Sequence, residues 1–83
     1  MDRLYLVTGA AGHLGNTVVR ELAARGSPVR ALVLPTDRAE ALMDLPVTLY
    51  QGDVTVPETL KAFFDVPEPG NTIVIHCAGI VSI

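Results

Sequence analysis

The hydrophobic pattern changes period several times along this chain, and that alternation restricts the fold more than any other feature. Leu4-Tyr5-Leu6-Val7 is a continuous apolar run ending in Thr8-Gly9, the pattern of a strand buried on both faces. From Leu14 the spacing becomes helical: Leu14, Val18, Val19, Leu22 and Ala23 share one face, with Arg20, Glu21 and Arg25 away from it. Gly26 stands where a helix end favours a left-handed residue, and Pro28 blocks continuation. Val29 to Leu34 reads as a second strand, Arg38 to Asp44 as a short helix and Val47 to Tyr50 as a third strand. A third helix carries Leu60, Phe63 and Phe64, and Thr72 to Cys77 is a fourth strand. Asp37 with Glu40, and Thr55 with Glu58, have capping-box spacing at the starts of the second and third helices. Doubly apolar strands separated by helices imply a parallel sheet in an α/β unit.

At 83 residues the chain holds one globular unit and not two domains. Nine carboxylates against six Lys and Arg give a net charge of −3, so no basic stripe is present to neutralise phosphates and a nucleic-acid partner is not expected. A single thiol, Cys77, leaves no intrachain disulfide and fits a reducing, cytoplasmic compartment. No apolar run approaches the ~18 residues that span a bilayer, and the N-terminal run is too short for a signal peptide. No membrane partner is expected.

The segment Thr8-Gly9-Ala10-Ala11-Gly12-His13-Leu14-Gly15 joins the first strand to the first helix. A phosphate resting on a helix N-terminus needs free backbone N–H groups and no side chain in the way. Gly9 suits the tight turn, Gly12 the approach of a pyrophosphate to the backbone, and Gly15 close packing of helix on strand. The spacing is G-x-x-G-x-x-G, and no Lys-Ser/Thr pair follows, which excludes a P-loop. An acid after a strand, as Asp53 is after the third, is more often a turn or cap residue. His76 and Cys77 are adjacent on a strand, so they point to opposite faces and make a poor metal pair; Cys77 reads as a small buried hydrophobe. His13 reads either as a phosphate contact or as a solvent-facing residue.

Thr-Gly-x-x-Gly-x-x-Gly after an N-terminal strand resembles the cofactor loop of the short-chain dehydrogenase/reductase superfamily. The wording here is similar to its extended branch, the NAD(P)-dependent epimerase/dehydratase and dihydroflavonol-reductase-like proteins. Gly52-Asp53-Val54 resembles that family's G-D-[VL], and Val74-Ile75-His76-Cys77-Ala78-Gly79 its V-[IV]-H-x-A-[AG]. The resemblance implies a Rossmann-type sheet of order 3-2-1-4, with the first two helices on one face and the third on the other. It implies NAD or NADP as cofactor. The pyrophosphate would lie on Gly9, Gly12, Gly15 and the backbone of His13 and Leu14, the adenine by Asp53 and Val54, and the nicotinamide ribose by Ala78 and Gly79. Where the family often shows V-R-A-L-V-R-P, this chain has Leu34 in place of the last Arg. Asp37 suits a ribose 2′-hydroxyl and Arg38 a 2′-phosphate, and both also suit a helix start, so the choice of cofactor stays open.

The family's chemistry uses a Tyr with a Lys four residues on. Tyr5 and Tyr50 are followed at that distance by Gly9 and Val54, and the only lysine is Lys61. The expectation is that residues 1–83 form the N-terminal part of a single dinucleotide-binding domain, a truncated piece of a longer oxidoreductase or nucleotide-sugar epimerase/dehydratase. Such a piece would not turn over substrate alone. A non-catalytic NAD(P)-sensing regulatory module is the rival. The fourth strand would form a bare edge with Ile73, Val74 and Ile75, inviting self-association.

Overall fold

A computed structural model describes residues 3–77. The elements run β1 (Leu4–Thr8), α1 (His13–Ala24), β2 (Val29–Val33), α2 (Glu40–Met43), β3 (Thr48–Gln51), α3 (Lys61–Phe64) and β4 (Thr72–His76). A 3₁₀ turn over Pro57–Leu60 runs straight into α3, and another over Pro69–Asn71 leads into β4. The four strands form one parallel sheet of order β3-β2-β1-β4, the Rossmann-type order expected from the sequence. β1 is central, pairing Tyr5 with Val29 on one side and Leu6 with Val74 on the other.

The helices divide between the two faces as expected. Val7, Ala31 and Val33 of the sheet pack with Val19 and Leu22 of α1 and Leu42 of α2. Leu6 and Leu32 meet Phe63 of α3 on the opposite face. In α1 the buried positions are Gly15, Val19 and Leu22, the i, i+4, i+7 stripe of an amphipathic helix. Leu14 is off that stripe and 50% exposed, which corrects its assignment to the apolar face. Gly15 takes the sheet-facing place in the first turn, and a residue one step away is rotated by about 100°. α1 closes as anticipated at Gly26, with Gly26 N–H on the Ala23 carbonyl (3.0 Å) and Ser27 N–H on Leu22 (3.1 Å).

Neither capping box forms. α2 is a single turn, shorter than the expected Arg38 to Asp44, and no side chain caps it. Asp37 closes the preceding turn instead: its Oδ2 accepts from Leu34 N–H (2.8 Å), and its own N–H donates to the Leu34 carbonyl (2.9 Å). Thr55 likewise serves Asp53 and leaves the 3₁₀ turn without a side-chain cap. In both places the short polar side chain found nearer backbone and hydroxyl partners than a helix end could offer. β2 ends at Val33, one residue early, and β3 is displaced one residue to Thr48–Gln51.

Two arginines tie helices to the rest. Arg20 donates from Nε to Asn16 Oδ1 (2.6 Å) and from Nη2 to the Ala41 carbonyl (2.7 Å), joining α1 to α2. Arg30 Nη1 reaches the carbonyls of Ala62 and Phe63 (both 3.1 Å) and Asp65 (2.8 Å), while its guanidinium lies 5.3 Å from the Tyr50 ring centroid. A cation at the end of α3 satisfies carbonyls that a four-residue helix leaves open. Among the described residues no helix is long and apolar enough to cross a membrane.

Candidate functional site

Parallel α/β sheets offer a crevice at the carboxyl ends of their strands, where the chain turns outward on either side of a central strand. Here β1 turns back at Gly9, whose φ of +62° is closed to most side-chain-bearing residues. Ala10 N–H then bonds the Leu32 carbonyl (3.1 Å), and Gly12 N–H the Gly9 carbonyl (3.1 Å), so the turn is fastened to β2 as well as to itself. α1 begins directly after Gly12, and its first intrahelical bond runs from Asn16 N–H to the Gly12 carbonyl (2.8 Å). The preceding N–H groups of His13, Leu14 and Gly15 therefore have no acceptor within the helix.

The three glycines of the turn do different work. At Gly15 a Cβ would stand 2.7 Å from Gly9 C and 2.9 Å from Ala10 Cα, so the helix lies on the turn at a distance that excludes any side chain. At Gly12 a Cβ would meet only the Gly9 carbonyl oxygen, at 3.4 Å, and otherwise open space. Gly12 is thus dispensable for packing, and its lack of a side chain keeps the surface of the turn bare.

A cleft of about 460 Å³ opens beside this turn. Gly9 and Gly12 form one wall, Leu32, Val33, Leu34 and Asp37 another, and Gly52, Asp53, Val54 and Thr55 a third, with Cys77 at the end of β4. Of the residues singled out in the sequence, Gly9, Gly12, Asp37, Asp53 and Val54 share this cleft. His13 is exposed and lines a smaller adjoining hollow with Gly12 and Asn16. Gly15 lies beneath the turn, Leu14 is half-exposed, and Arg38 is exposed and is not among the residues lining the cleft. Ala78 and Gly79 lie outside the described residues.

Asp53 fills the turn role its position suggested and remains at the cleft. Its Oδ1 accepts from Thr55 Oγ1 (2.6 Å) and Thr55 N–H (2.9 Å), and these bonds hold its carboxyl below the usual carboxylate range. The group stays ionised at neutral pH. Asp53 N–H in turn reaches Thr59 Oγ1 (2.9 Å).

Gly52 escaped the sequence reading as a packing residue. A Cβ there would lie 2.9 Å from the Thr59 carbonyl oxygen, so the 3₁₀ turn can sit directly over the end of β3. The Asp-x-Thr spacing of an Asx turn was the available signal for Thr55. At the sheet's centre, Thr8 Oγ1 lies 2.8 Å from His76 Nδ1 and accepts from Cys77 N–H (3.0 Å), locking the end of β4 to β1. Cys77 is buried, which pushes its thiol pKa up and keeps it protonated.

A 3-2-1-4 parallel sheet with a glycine turn between its central strand and first helix defines a Rossmann-type nucleotide-binding class. The NmrA-like family model matches residues 1–68, and the chain belongs to that family. It is 38% identical over 78 residues to sterol demethylase protein B of Methylococcus capsulatus, covering 94% of this chain and 23% of that protein. It is 35% identical over 82 residues to the dTDP-4-dehydro-6-deoxy-D-allose reductase of a Streptomyces species, covering 94% of this chain and 25% of that one. The crystal structure of the Bordetella bronchiseptica enzyme WbmG in complex with NAD and UDP superposes with a TM-score of 0.77 at 25% identity, over 100% of this chain and 27% of that one. The expected kinship with extended short-chain reductases and epimerases is borne out. The chain spans about a quarter of the length of these relatives.

Proposed function

We propose that this chain binds the adenosine-diphosphate half of NAD or NADP and supplies the cofactor-binding part of an NAD(P)-dependent oxidoreductase or nucleotide-sugar epimerase/dehydratase. The observation that carries this reading is the cleft where the bare turn at Gly12 faces the ends of β2 and β3. In this reading the pyrophosphate accepts hydrogen bonds from the N–H groups of His13 and Leu14 over Gly9 and Gly12, with Gly15 holding the helix in place. The adenine sits by Asp53 and Val54, and Ala78 and Gly79 flank the nicotinamide ribose. A chain without a Tyr-x-x-x-Lys pair binds cofactor without catalysing by itself, and a single buried thiol suits a reducing cytoplasm.

Calorimetric titration with NAD, NADP and ADP-ribose tests the reading. ADP-ribose is expected to bind nearly as well as an intact dinucleotide. Gly12→Val is expected to weaken binding by more than about tenfold while keeping the fold, since its φ of −75° suits any residue and its Cβ meets only the Gly9 carbonyl oxygen, at 3.4 Å. Silence from all three ligands would refute it.

The same reading includes self-association through β4. Among the described residues β4 has a neighbouring strand on one side only, and Val74 is 49% exposed near Phe64, itself 43% exposed. The two line a groove of about 320 Å³ on the α3 face. Light scattering is expected to give a mass above the 8.8 kDa of one chain, returning to it in Val74→Lys. A monomeric parent chain would end that part of the proposal.

A further inference from the structure

We infer that Thr59 is a positioning residue of this site: its hydroxyl clips the cleft wall of Asp53, Val54 and Thr55 to the element that follows, and so sets how tightly the cleft holds a dinucleotide. The inference rests on the dinucleotide reading above and adds to it a residue that does not itself line the cleft.

This wall is a stretch of chain beyond the end of its strand. β2 holds the chain as far as Gly52, whose N–H donates to the Val33 carbonyl (2.9 Å), and there it leaves the sheet. The bonds from Thr55 to the Asp53 carboxylate fix the shape of the turn but not its place, since both partners belong to it. The bond from Val56 N–H to the Asp53 carbonyl (2.8 Å) extends it by one residue. Thr59 supplies the link outward. Its Oγ1 accepts from Asp53 N–H (2.9 Å) and donates to the Val56 carbonyl (2.7 Å), with the Asp53 carbonyl also in reach at 3.1 Å. A hydroxyl accepts and donates at one atom, so a single short side chain serves an N–H and a carbonyl of the turn together.

Thr59 is itself firmly held. Its N–H donates to the Val56 carbonyl (3.0 Å), and a Cβ on Gly52 would come within 2.9 Å of its carbonyl oxygen, so its backbone lies directly on the end of β3. It stands in the 3₁₀ turn that runs straight into α3, whose Phe63 is fully buried with Leu6 and Leu32. Through Thr59 the packed core on the α3 face reaches the cleft, and the wall that faces the ligand takes its position from that core. A wall already in place costs little to order when a ligand binds; without the clip, part of the binding energy would go into ordering it.

Titration of the full chain with ADP-ribose, paired with amide hydrogen exchange, provides the test. Thr59→Val keeps the shape of the side chain and loses the hydroxyl. It is expected to weaken ADP-ribose binding about fivefold or more and to speed exchange at Asp53 N–H. Thr59→Ser keeps the hydroxyl and should bind within about twofold of the parent, with Asp53 N–H still protected. A residue that only stabilised the fold would lower the denaturation midpoint of Thr59→Val and leave the affinity of the folded chain as it was. The parent chain gives a second check that does not depend on a variant folding: ADP-ribose should slow exchange at Asp53 N–H. Unchanged affinity in Thr59→Val, an equal loss in Thr59→Ser, or exchange at Asp53 that ADP-ribose does not slow overturns the inference while leaving the dinucleotide reading intact. Failure of ADP-ribose to bind the parent chain overturns the dinucleotide reading itself.

Discussion

Gly15→Ala is expected to cost this chain a large share of its stability. In an ordinary helix interior the exchange would favour folding by about 1 kcal/mol, because alanine is the better helix former. Here the new methyl would be driven into the Gly9 carbonyl group and against Ala10 Cα, 2.9 Å away. Both are backbone, fastened by the Ala10–Leu32 bond, so no side-chain rotation relieves the contact. α1 would have to lift from the sheet, opening the packing of Val19 and Leu22 against Val7 and Ala31. A loss of about 3 kcal/mol or more follows, in the range reserved for severe overpacking. Urea denaturation checks it, with Gly12→Ala as the comparison. That methyl meets only the Gly9 oxygen at 3.4 Å and should cost at most about 1 kcal/mol. Equal stability of the two variants would refute the distinction between a packing glycine and an open one.

Phe63→Ala is expected to be comparably damaging, at about 3–5 kcal/mol. Phe63 is fully buried, and among the described residues only Leu6 and Leu32 share that burial on its face of the sheet. Its ring meets Tyr50 edge-on at 5.7 Å and Phe64 at 4.9 Å. A chain of 83 residues has a total stability of about 4–12 kcal/mol, so the loss takes a large share of it. Phe63→Leu should cost less than about 1.5 kcal/mol, because it keeps most of the volume. A denaturation midpoint in Phe63→Ala within error of the parent would mean that the α3 face contributes little to folding.

Much of the fold was legible because its signals are local. The run Leu4 to Val7, the helical stripe through Val19 and Leu22, and the stop at Gly26 each depend on residues within one or two turns of one another. The doubled apolar character of the strands then led to a parallel sheet. The structure departs from local signals where a polar side chain has two partners in reach. Asp37 and Thr55 stood at good capping distances from Glu40 and Glu58, but Leu34 N–H and the Asp53 carboxylate were nearer and claimed them. Leu14 was misassigned because Gly15, with no side chain to score, hid the true direction of the buried stripe.

The site divides in the same way. Glycine spacing marked the turn, and the place of Asp53 after the third strand marked the turn role it fills. Nothing local showed that Gly52 makes room for Thr59, or that Arg30 reaches across 32 to 35 residues to the carbonyls that end α3.

By itself the sequence determined the order of elements, the parallel sheet and the place of the glycine turn, since periodicity and backbone permissiveness act over a few residues. Only the tertiary structure decided which charges meet in the cleft. Asp37, Asp53 and Gly12 are distant in the chain and become neighbours because β2 pairs with both β1 and β3. Asp37 lines that space and Arg38 does not, and the bond from Leu34 N–H to Asp37 Oδ2 is a contact that periodicity does not encode.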